Sequence, residues 1–354
     1  MSEISRLVKV RDHLDRFLAV YVSIAIILGL IAGYYDYQWV ALNKGLIKTL
    51  ELAAIIIMIF PMMVMMNFRG LGKALKNWKL LLIVLLMNFA WGPLMAILLG
   101  DIFVTDPLVK LGLFLAWLVP CSSMSVGYVG LMKGNIEAST ALVAITFLIG
   151  IPLIPLYAGA YGAAYHIHVS VMLLVITILE IIVAPLIVGI PTHEGLMRKL
   201  GKQRFREISP VFSSITMIGM FMIIFVIFFG DSRMIISHIH AVLGVFYSAI
   251  AFGTISLVFL TLLFKALKFN YWDSMAGLFP SIGKNEGTAV AIAATAFSPL
   301  VAIAPGTLPI FQVIFLITYI KLRPRIAHFF GMKGRDAVSQ EEIEEIAGSV
   351  GGAR

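Results

Sequence analysis

Reactive side chains are rare in this chain, and the most informative of them is a lone thiol. Cys121 is the only cysteine in 354 residues, and it follows Pro120 within the apolar stretch 111–132. Proline removes a backbone donor and breaks helix geometry, so the thiol is expected at a helix break. A thiolate is a soft ligand that suits thiophilic species such as Cu(I) or As(III). One thiol predicts weak, reversible capture.

A pair of charged residues lies inside another apolar stretch. Lys284 and Glu286 follow Pro280 in the sequence GLFPSIGKNEGTAVAIA (277–293). A charge at membrane depth is unfavourable by about 2.5 kcal/mol or more. Residues two apart point to different faces of a helix, so these two would form an ion pair only on unwound backbone. The alternative is that they titrate and couple proton movement to another step.

Polar side chains accompany both breaks and one further apolar stretch. Asn amides in membrane helices often serve only to hold neighbouring helices together. For Asn88 this structural role is the alternative to substrate binding. Glu180, in VMLLVITILEIIVAPL (171–186), is expected to face the bundle and to assist Lys284 and Glu286 in coupling. The candidate binding residues are Cys121, Ser122, Ser125, Asn88 and Asn285.

The composition indicates the scaffold that positions these residues. Hydrophobic residues make up 60% of the chain and charged residues 13%, and the mean hydropathy is +0.98. A membrane-spanning helix needs roughly 20 apolar residues. We predict an all-α polytopic membrane protein with ten such helices. The predicted spans are 17–35, 46–66, 78–100, 108–132, 138–161, 169–190, 211–230, 240–264, 274–298 and 300–321.

Basic residues indicate how the spans are oriented. Of 27 Lys and Arg residues, 22 fall in alternate loops and termini on one side, four fall on the other, and Lys284 lies within a span. Cytoplasmic loops carry the excess of basic residues, so both termini are predicted to be cytoplasmic in a multi-pass protein of the cell membrane. The net charge of +8 therefore reflects topology and does not indicate a nucleic-acid partner.

The chain divides into five predicted segments. A short helix is expected in the first of them, and Ser339 with Glu342 predicts a capped helix in the last. The segments are a cytosolic N-terminal segment at 1–16, a first five-helix repeat at 17–190, a cytosolic linker loop at 191–210, the remaining helices of the second repeat at 211–321 (its first helix being 169–190), and a cytosolic tail at 322–354.

The two halves are predicted to be inverted repeats, because an odd number of spans in each half forces opposite orientations. When Pro120 is aligned with Pro280, Ser125 lies opposite Asn285, and each proline is followed by a polar cluster and a glycine. Broken backbone at membrane depth is tolerated only where protein or a water-filled cavity covers it. Spans 4 and 9 are therefore expected to be discontinuous helices that cross near the midplane and face a shared cavity.

Several function classes lack their sequence signals. The chain has no P-loop, nucleophile elbow or dinucleotide fingerprint, so we expect neither an enzyme nor an ATP-driven pump, and no cofactor or ATPase subunit. Its histidines have no metal-ligand spacing, and no metal site is predicted. The expected partners are a small-molecule substrate, membrane lipid and a coupling ion.

Four segments carry a family resemblance: 61–81, 88–99, 119–135 and 283–297. The Pro-Cys pair of span 4 and the Asn-aromatic-x-x-Gly-Pro element at Asn88 are similar to the Acr3-type arsenite efflux permeases of the bile acid/arsenite transporter superfamily. The Asn-x-Gly-x-Ala-x-Ala run at Asn285 is shared with the bile acid sodium symporters. The resemblance implies a core domain, a panel domain and crossed helices 4 and 9.

The resemblance also implies roles for individual residues. Cys121 matches the cysteine that Acr3-type permeases use for the trivalent metalloid, and Glu286 is the nearest match to their acid in span 9. Lys284 occupies the place of a glutamine in the sodium symporters, where a cation would sit, which argues against that sodium site.

These observations predict a secondary active transporter that exports arsenite, or antimonite, from the cytoplasm by proton antiport. Cys121 would bind the metalloid, and Lys284, with Glu286 or Glu180, would exchange the proton. The alternative is a bile acid symporter-like carrier of an organic anion, which a fixed positive charge in the cavity would suit. A sensor or scaffold is disfavoured because buried charges are costly to retain without function.

Overall fold

The computed structural model describes residues 3–66 and 77–332. The predicted capped helix at Ser339, most of the tail and several basic residues between spans 2 and 3 lie outside these ranges. The N-terminal helix predicted within 1–16 is confirmed, since residues Glu3–Arg16 are helical.

The described ranges are helical almost throughout. Two π-helical turns, Met87–Trp91 and Leu179–Val183, interrupt helices, and each precedes a proline by two residues. The missing N–H of Pro93 or Pro185 leaves a carbonyl one turn back without its donor, and a widened turn accommodates the loss. The helices are α1 Glu3–Arg16, α2 Leu18–Tyr35, α3 Tyr37–Leu42, α4 Lys44–Met65, α5 Trp78–Leu86, α6 Gly92–Phe103, α7 Pro107–Leu118, α8 Met124–Leu131, α9 Ile136–Ala164, α10 Val171–Ile178, α11 Ala184–Gly230, α12 Ser232–Ser237, α13 Ile239–Ala266, α14 Tyr271–Ile282, α15 Glu286–Ala296, α16 Pro299–Lys321 and α17 Arg323–Phe329.

Eight helical stretches of the described residues are long and apolar enough to cross a membrane. They coincide with eight of the ten predicted spans, which confirms the all-α polytopic class. The other two predicted spans, 4 and 9, are each divided into halves of 8 to 12 residues. The eight stretches are Leu18–Tyr35, Lys44–Met65, Trp78–Phe103, Ile136–Ala164, Val171–Gly201, Gln203–Gly230, Ile239–Ala266 and Pro299–Lys321.

The linker loop predicted at 191–210 is instead helical. α11 runs through the whole segment, and the single non-helical residue inside it is Gly201, with φ of +77°. Glycine adopts this left-handed region without a Cβ clash. The loop was predicted because the segment lies between two apolar spans, whereas its Lys, Arg, Gln and Glu residues are also good helix formers. Spans 6 and 7 are therefore separated by a sharp break at Gly201 rather than by a loop.

Helix packing arranges the spans in two groups, which are joined by contacts of α2 with α16. In the first, α2 and α4 pack against α11, so spans 1, 2, 6 and 7 are neighbours, and α1 also packs on α11. In the second, α7 packs against α16 and α6, α14 packs against α9 and α8, and α13 packs against α16. The second group contains both divided spans. A core and a panel domain, as the resemblance implies, remain a prediction that this grouping favours.

Candidate functional site

The two divided spans meet at their breaks, through backbone hydrogen bonds. Ser122 N donates to the carbonyl oxygen of Gly283 at 2.9 Å, and Asn285 N donates to that of Pro120 at 3.1 Å. These bonds flank an isolated antiparallel bridge between Cys121 and Lys284. Residues opposed in this way, between hydrogen bonds rather than joined by them, bring their side chains closest. We call residues 120–122 and 283–285 the crossing.

Local sequence explains why both helices end here. α7 ends at Leu118, just before Pro120, as predicted. The second break differs from the prediction, because Pro280 lies inside α14 and the chain leaves the helix at Gly283, where the N–H still donates to Phe279 O. Proline removes a donor only from its own position, so the helix continues for two more residues before glycine releases it.

Both breaks restart a helix with the same kind of contact. Ser122 Oγ accepts from Met124 N at 3.2 Å, and Asn285 Oδ1 accepts from Thr288 N at 3.2 Å. The bridge pairs Cys121 with Lys284, so the residues that follow them, Ser122 and Asn285, hold equivalent positions in the two spans. Equivalent residues are thus 163 positions apart, whereas Pro120 and Pro280 are 160 apart. If the halves are inverted repeats, their register follows these contacts and not the prolines.

The Cys121 thiol is enclosed by protein. Its side chain is 1% exposed, and its sulfur lies 3.0 Å from Thr146 Oγ1 on α9. The Thr146 hydroxyl donates to the carbonyl of Leu142 at 2.9 Å, which leaves the thiol as the donor to Thr146. The charge of Lys284 also acts on the thiol electrostatically. The sulfur is thus held in one orientation beside a cationic group.

The Lys284 ammonium is the second buried reactive group, at 1% exposure. Its Nζ donates to Asn88 Oδ1 at 2.8 Å. The Asn88 amide donates in turn to Val84 O at 2.8 Å and to Pro280 O at 3.2 Å, which fixes which end of the amide faces the lysine. Asn88 lies on the π-helical turn before α6, and such turns often occur at functional sites.

Glu286 and Lys284 have different partners, so the local ion pair considered from the sequence does not form. The Glu286 carboxylate accepts from Gln312 Nε2 at 2.9 Å. The same amide binds the backbone of Lys284 through Nε2 to O at 3.1 Å and through Oε1 to N at 2.6 Å. Gln312 on α16 therefore links both residues to span 10.

Gln312 and Thr146 were missed in the sequence analysis. Gln312 had a usable signal, since an amide within the apolar run of span 10 is a polar group at membrane depth. Thr146 had none, because a threonine inside a membrane helix commonly binds its own backbone, as this one also does.

Most of the predicted site residues lie together at the crossing. Ser125 Oγ donates to Gly283 O at 3.1 Å, and the Asn285 amide lies 3.2 Å from the Met62 sulfur on α4. Thr288, in the first turn of α15, has a buried hydroxyl with no partner among the described residues. The crossing thus offers a thiol, an ammonium and amides, with one unpaired hydroxyl on the adjacent turn.

Glu180 does not join this cluster. It was expected to face the bundle, but it is exposed on the π-helical turn Leu179–Val183. The extra residue in a π-helical turn rotates the helix faces that follow it, which a periodicity of 3.6 residues does not anticipate. Its role in coupling stays a prediction, to which this exposed position adds no support.

The two half-helices beyond the breaks differ in how closely they are packed. A Cβ placed on Gly127 of α8 would meet nothing within 4 Å, whereas one on Gly287 of α15 would lie 2.9 Å from Met58 Sδ of α4. By the predicted topology α8 is the cytoplasmic half of span 4. Near it, the carboxylates of Asp15 and Glu286 both act electrostatically on Tyr128. The side of the crossing toward α8 is therefore the more open one.

The N-terminal helix α1 places a titratable group beside this open side. In α1, outside the predicted spans, burial raises the pKa of Asp15 to about 6, and the charge of Arg11 partly opposes that rise. Asp15 and Tyr128 belong to different groups of helices, so their electrostatic contact reaches from one group to the other.

Alanine at Gly92 is expected to disrupt the site. A Cβ there would lie 2.4 Å from the carbonyl oxygen of Trp117 and 3.4 Å from Lys284 Nζ. Because the carbonyl belongs to the backbone of α7, span 3 would have to move away, and overpacking of this kind is unfavourable by about 1–3 kcal/mol. Thermal unfolding of the Gly92→Ala variant in detergent should show a clear drop in midpoint.

Gly127→Ala is the matched control for this prediction. It adds the same methyl group to a glycine of α8 that has open space around it, where alanine favours helix by up to about 1 kcal/mol. Its midpoint should equal or exceed that of the unchanged protein. Equal midpoints for the two variants would contradict the close approach of α6 and α7.

Discontinuous helices that cross inside a polytopic membrane protein, with charged groups at the crossing, are the architecture of a secondary transporter. Residues 52–238, more than half of the chain, match the model of the Sodium Bile acid symporter family, and the chain belongs to that family. It is therefore a multi-pass membrane transporter. The matched residues include Cys121 but not Lys284.

Two relatives support the more specific resemblance. The "Arsenical-resistance protein Acr3" of Corynebacterium glutamicum is 22% identical over 310 residues, which cover 81% of each chain. The protein of the same name from Alkaliphilus metalliredigens is 24% identical over 248 residues, or 63% of this chain and 67% of its own. The similarity to the Acr3 branch expected from the motifs is confirmed.

Proposed function

We propose that this protein exports trivalent arsenite, and its congener antimonite, from the cytoplasm across the cell membrane in exchange for protons. The observation that carries the proposal is the pairing of Cys121 with Lys284 at the crossing. It brings together a soft ligand and a titratable cation, both buried, in a transporter similar to two arsenical-resistance proteins.

The thiol supplies substrate recognition. Neutral As(OH)3 enters past α8, an As–S bond to Cys121 forms and one As–OH bond breaks. The thiol proton and the departing hydroxide leave together as water, so the exchange is balanced without an external reactant. A single thiolate bond is reversible, which release on the other side requires. Thr146 Oγ1, 3.0 Å from the sulfur, keeps the thiol oriented for attack.

The ammonium and the carboxylate supply coupling. Lys284 and Glu286 are held by Asn88 and Gln312 at the break of span 9. A change of protonation at either group alters the charge buried at the crossing, and buried charge is costly. The protonation state therefore biases the orientation of the core helices against α4 and α11. Proton entry from one side and release to the other then drives the metalloid outward.

The second candidate is transport of an organic anion, and Lys284 is the observation that favours it. A fixed positive charge in a buried site attracts a carboxylate or sulfonate. Against it, the ammonium already donates to Asn88, and Glu286 lies two residues away with its carboxylate at the same break. Arsenite is neutral and avoids repulsion by that carboxylate, so it fits the crossing better.

Arsenite uptake into everted membrane vesicles tests the proposal. Under an imposed gradient with acid inside, vesicles that contain the protein should accumulate arsenite, and collapse of the gradient with a protonophore should stop accumulation. Vesicles without the protein provide the baseline. The same vesicles are given labelled organic acids, with and without a sodium gradient. Sodium-dependent uptake of an organic acid without arsenite accumulation would establish the second candidate instead.

A further inference from the structure

The inner half of span 4 is too short to hold its own orientation. α8 comprises eight residues, Met124–Leu131. Isolated helices below about 12–15 residues are marginal even in favourable sequences, so the contacts at its two ends must fix its direction. Its first turn is tied to the crossing, where Ser122 N and Ser125 Oγ both donate to Gly283 O.

At the C-terminal end of α8, some of the last backbone carbonyls have local donors and others do not. Gly134 N donates to Val129 O at 2.8 Å and Lys133 N to Gly130 O at 2.9 Å. This reversal places Lys133 at φ of +53°, in the left-handed region, which is a common way to end a helix. It leaves the carbonyls of Leu131 and Met132 without a local donor.

Two residues from distant helices supply those donors. Arg323 Nη1 donates to Leu131 O at 3.1 Å, and Tyr271 Oη donates to Met132 O at 2.9 Å. The charge of Arg323 also acts electrostatically on the Tyr271 hydroxyl. Arg323 is the first residue of α17 and Tyr271 the first of α14. The end of α8 is thereby fastened to the helices that follow span 10 and begin span 9.

The choice of arginine has an electrostatic reason. The carbonyl end of a helix carries about half a negative charge, which a cation stabilises. Arg323 is only 2% exposed, and its Nε has no partner among the described residues. A guanidinium is costly to bury with a donor unpaired, so its position depends on the hydrogen bond to the end of α8. Neighbouring Arg325 on the same helix is exposed.

We propose that Arg323, together with Tyr271, is a positioning residue that fixes the direction of α8 and thereby sets how accessible the Cys121 thiol is. Loss of the cap would let α8 pivot about the crossing, to which its first turn remains bonded. The thiol lies at that pivot, three residues before the first residue of α8. The link to transport rests on the proposed function, whereas the link to the thiol does not.

The lone cysteine permits a direct test on the full-length protein. Because Cys121 is the only cysteine, alkylation by labelled N-ethylmaleimide in membrane vesicles, measured on the protein purified after quenching, reports the accessibility of this one thiol. Arg323→Gln is expected to raise the alkylation rate about tenfold or more, as loss of a hydrogen bond from a charged group implies. Arg325→Gln, the matched control, should leave the rate unchanged. Equal rates for the unchanged protein and Arg323→Gln would overturn the proposal.

Two milder variants cover the case in which Arg323→Gln does not fold. Tyr271→Phe removes the hydrogen bond to Met132 O, and Arg323→Lys keeps the charge but loses the planar fork. Both should raise the alkylation rate by about twofold or more. If neither does so, the proposal is wrong.

Transport gives a second readout that separates positioning from general destabilisation. In vesicles, Arg323→Gln should raise KM for arsenite more than it lowers kcat, with Arg323→Lys between it and the unchanged protein. An equal loss in protein amount and kcat with unaltered KM would instead indicate a merely structural role. Absence of arsenite transport by the unchanged protein would refute the proposed function, while the alkylation rates would still decide the role of Arg323.

Discussion

Serine in place of Cys121 is expected to reduce arsenite transport by about 100-fold or more, because an oxygen ligand does not hold a soft metalloid as sulfur does. The substitution is conservative for the fold. A serine hydroxyl can also donate to Thr146 Oγ1, which accepts from the thiol at 3.0 Å, and the backbone pairing with Lys284 does not involve the side chain. Uptake by everted vesicles, corrected for the amount of folded protein, measures the loss.

Ser123→Ala is the matched control for this substitution. Ser123 belongs to the same break, but it is exposed and its side chain makes no capping bond to α8. Its removal should leave transport within about twofold of the unchanged protein, as is usual for surface substitutions. Full arsenite transport by Cys121→Ser would refute the role of the thiol, even if the protein proves to be an arsenite transporter.

Thr146→Val provides a complementary comparison at the thiol. Valine is similar in size to threonine but lacks the hydroxyl, so the Cys121 thiol loses its acceptor while the packing is retained. The sulfur remains, and we therefore expect weakened rather than abolished transport. Comparing transport by Cys121→Ser with transport by Thr146→Val separates the requirement for the sulfur atom from the requirement for its orientation.

The features that follow from hydropathy and proline were predictable. Apolar runs marked the eight long helices, and Pro120 marked the first break, since proline removes a backbone donor at a definite position. The second break was predicted at Pro280 but lies at Gly283. The position at which a helix ends also depends on which donors form hydrogen bonds to the carbonyls at its end. Here those donors belong to span 4, and a local sequence does not reveal them.

The composition of the candidate site was predictable only in part. Charged side chains at membrane depth are so unusual that Lys284 and Glu286 could be selected from the sequence alone, and Cys121 was selected because it directly follows Pro120 in an apolar stretch. Their partners could not, since Gln312 and Thr146 come from helices whose rotation depends on the packing of the whole bundle.

Glu180 also shows that side-chain direction could not be predicted from the sequence. It was selected by the same rule of membrane depth, but a π-helical turn leaves it exposed. Depth in the membrane can be estimated from sequence, whereas the direction of a side chain depends on local helix geometry.

The contact between Lys284 and Asn88 is expected to show strong energetic coupling. Asn88→Leu would leave the ammonium without its acceptor, which is unfavourable by about 3–5 kcal/mol for a buried charge. Lys284→Met would leave only the Asn88 carbonyl oxygen unpaired, at about 1–3 kcal/mol. Combining the two removes both unpaired groups, so the double variant should be more stable than the sum of the single losses predicts, by about 2 kcal/mol.

Thermal unfolding of the four proteins in detergent measures this coupling, and Lys321→Met, at an exposed lysine on α16, is the control for loss of a positive charge. Additive losses would show that the 2.8 Å contact does not stabilise the crossing. The transport result is separate: the double variant is expected to fold, yet to move arsenite only down its own gradient, with no response to pH. If an imposed pH gradient still drove accumulation in this variant, Lys284 would not be the coupling group, and Glu286 with Gln312 would have to carry the proton alone.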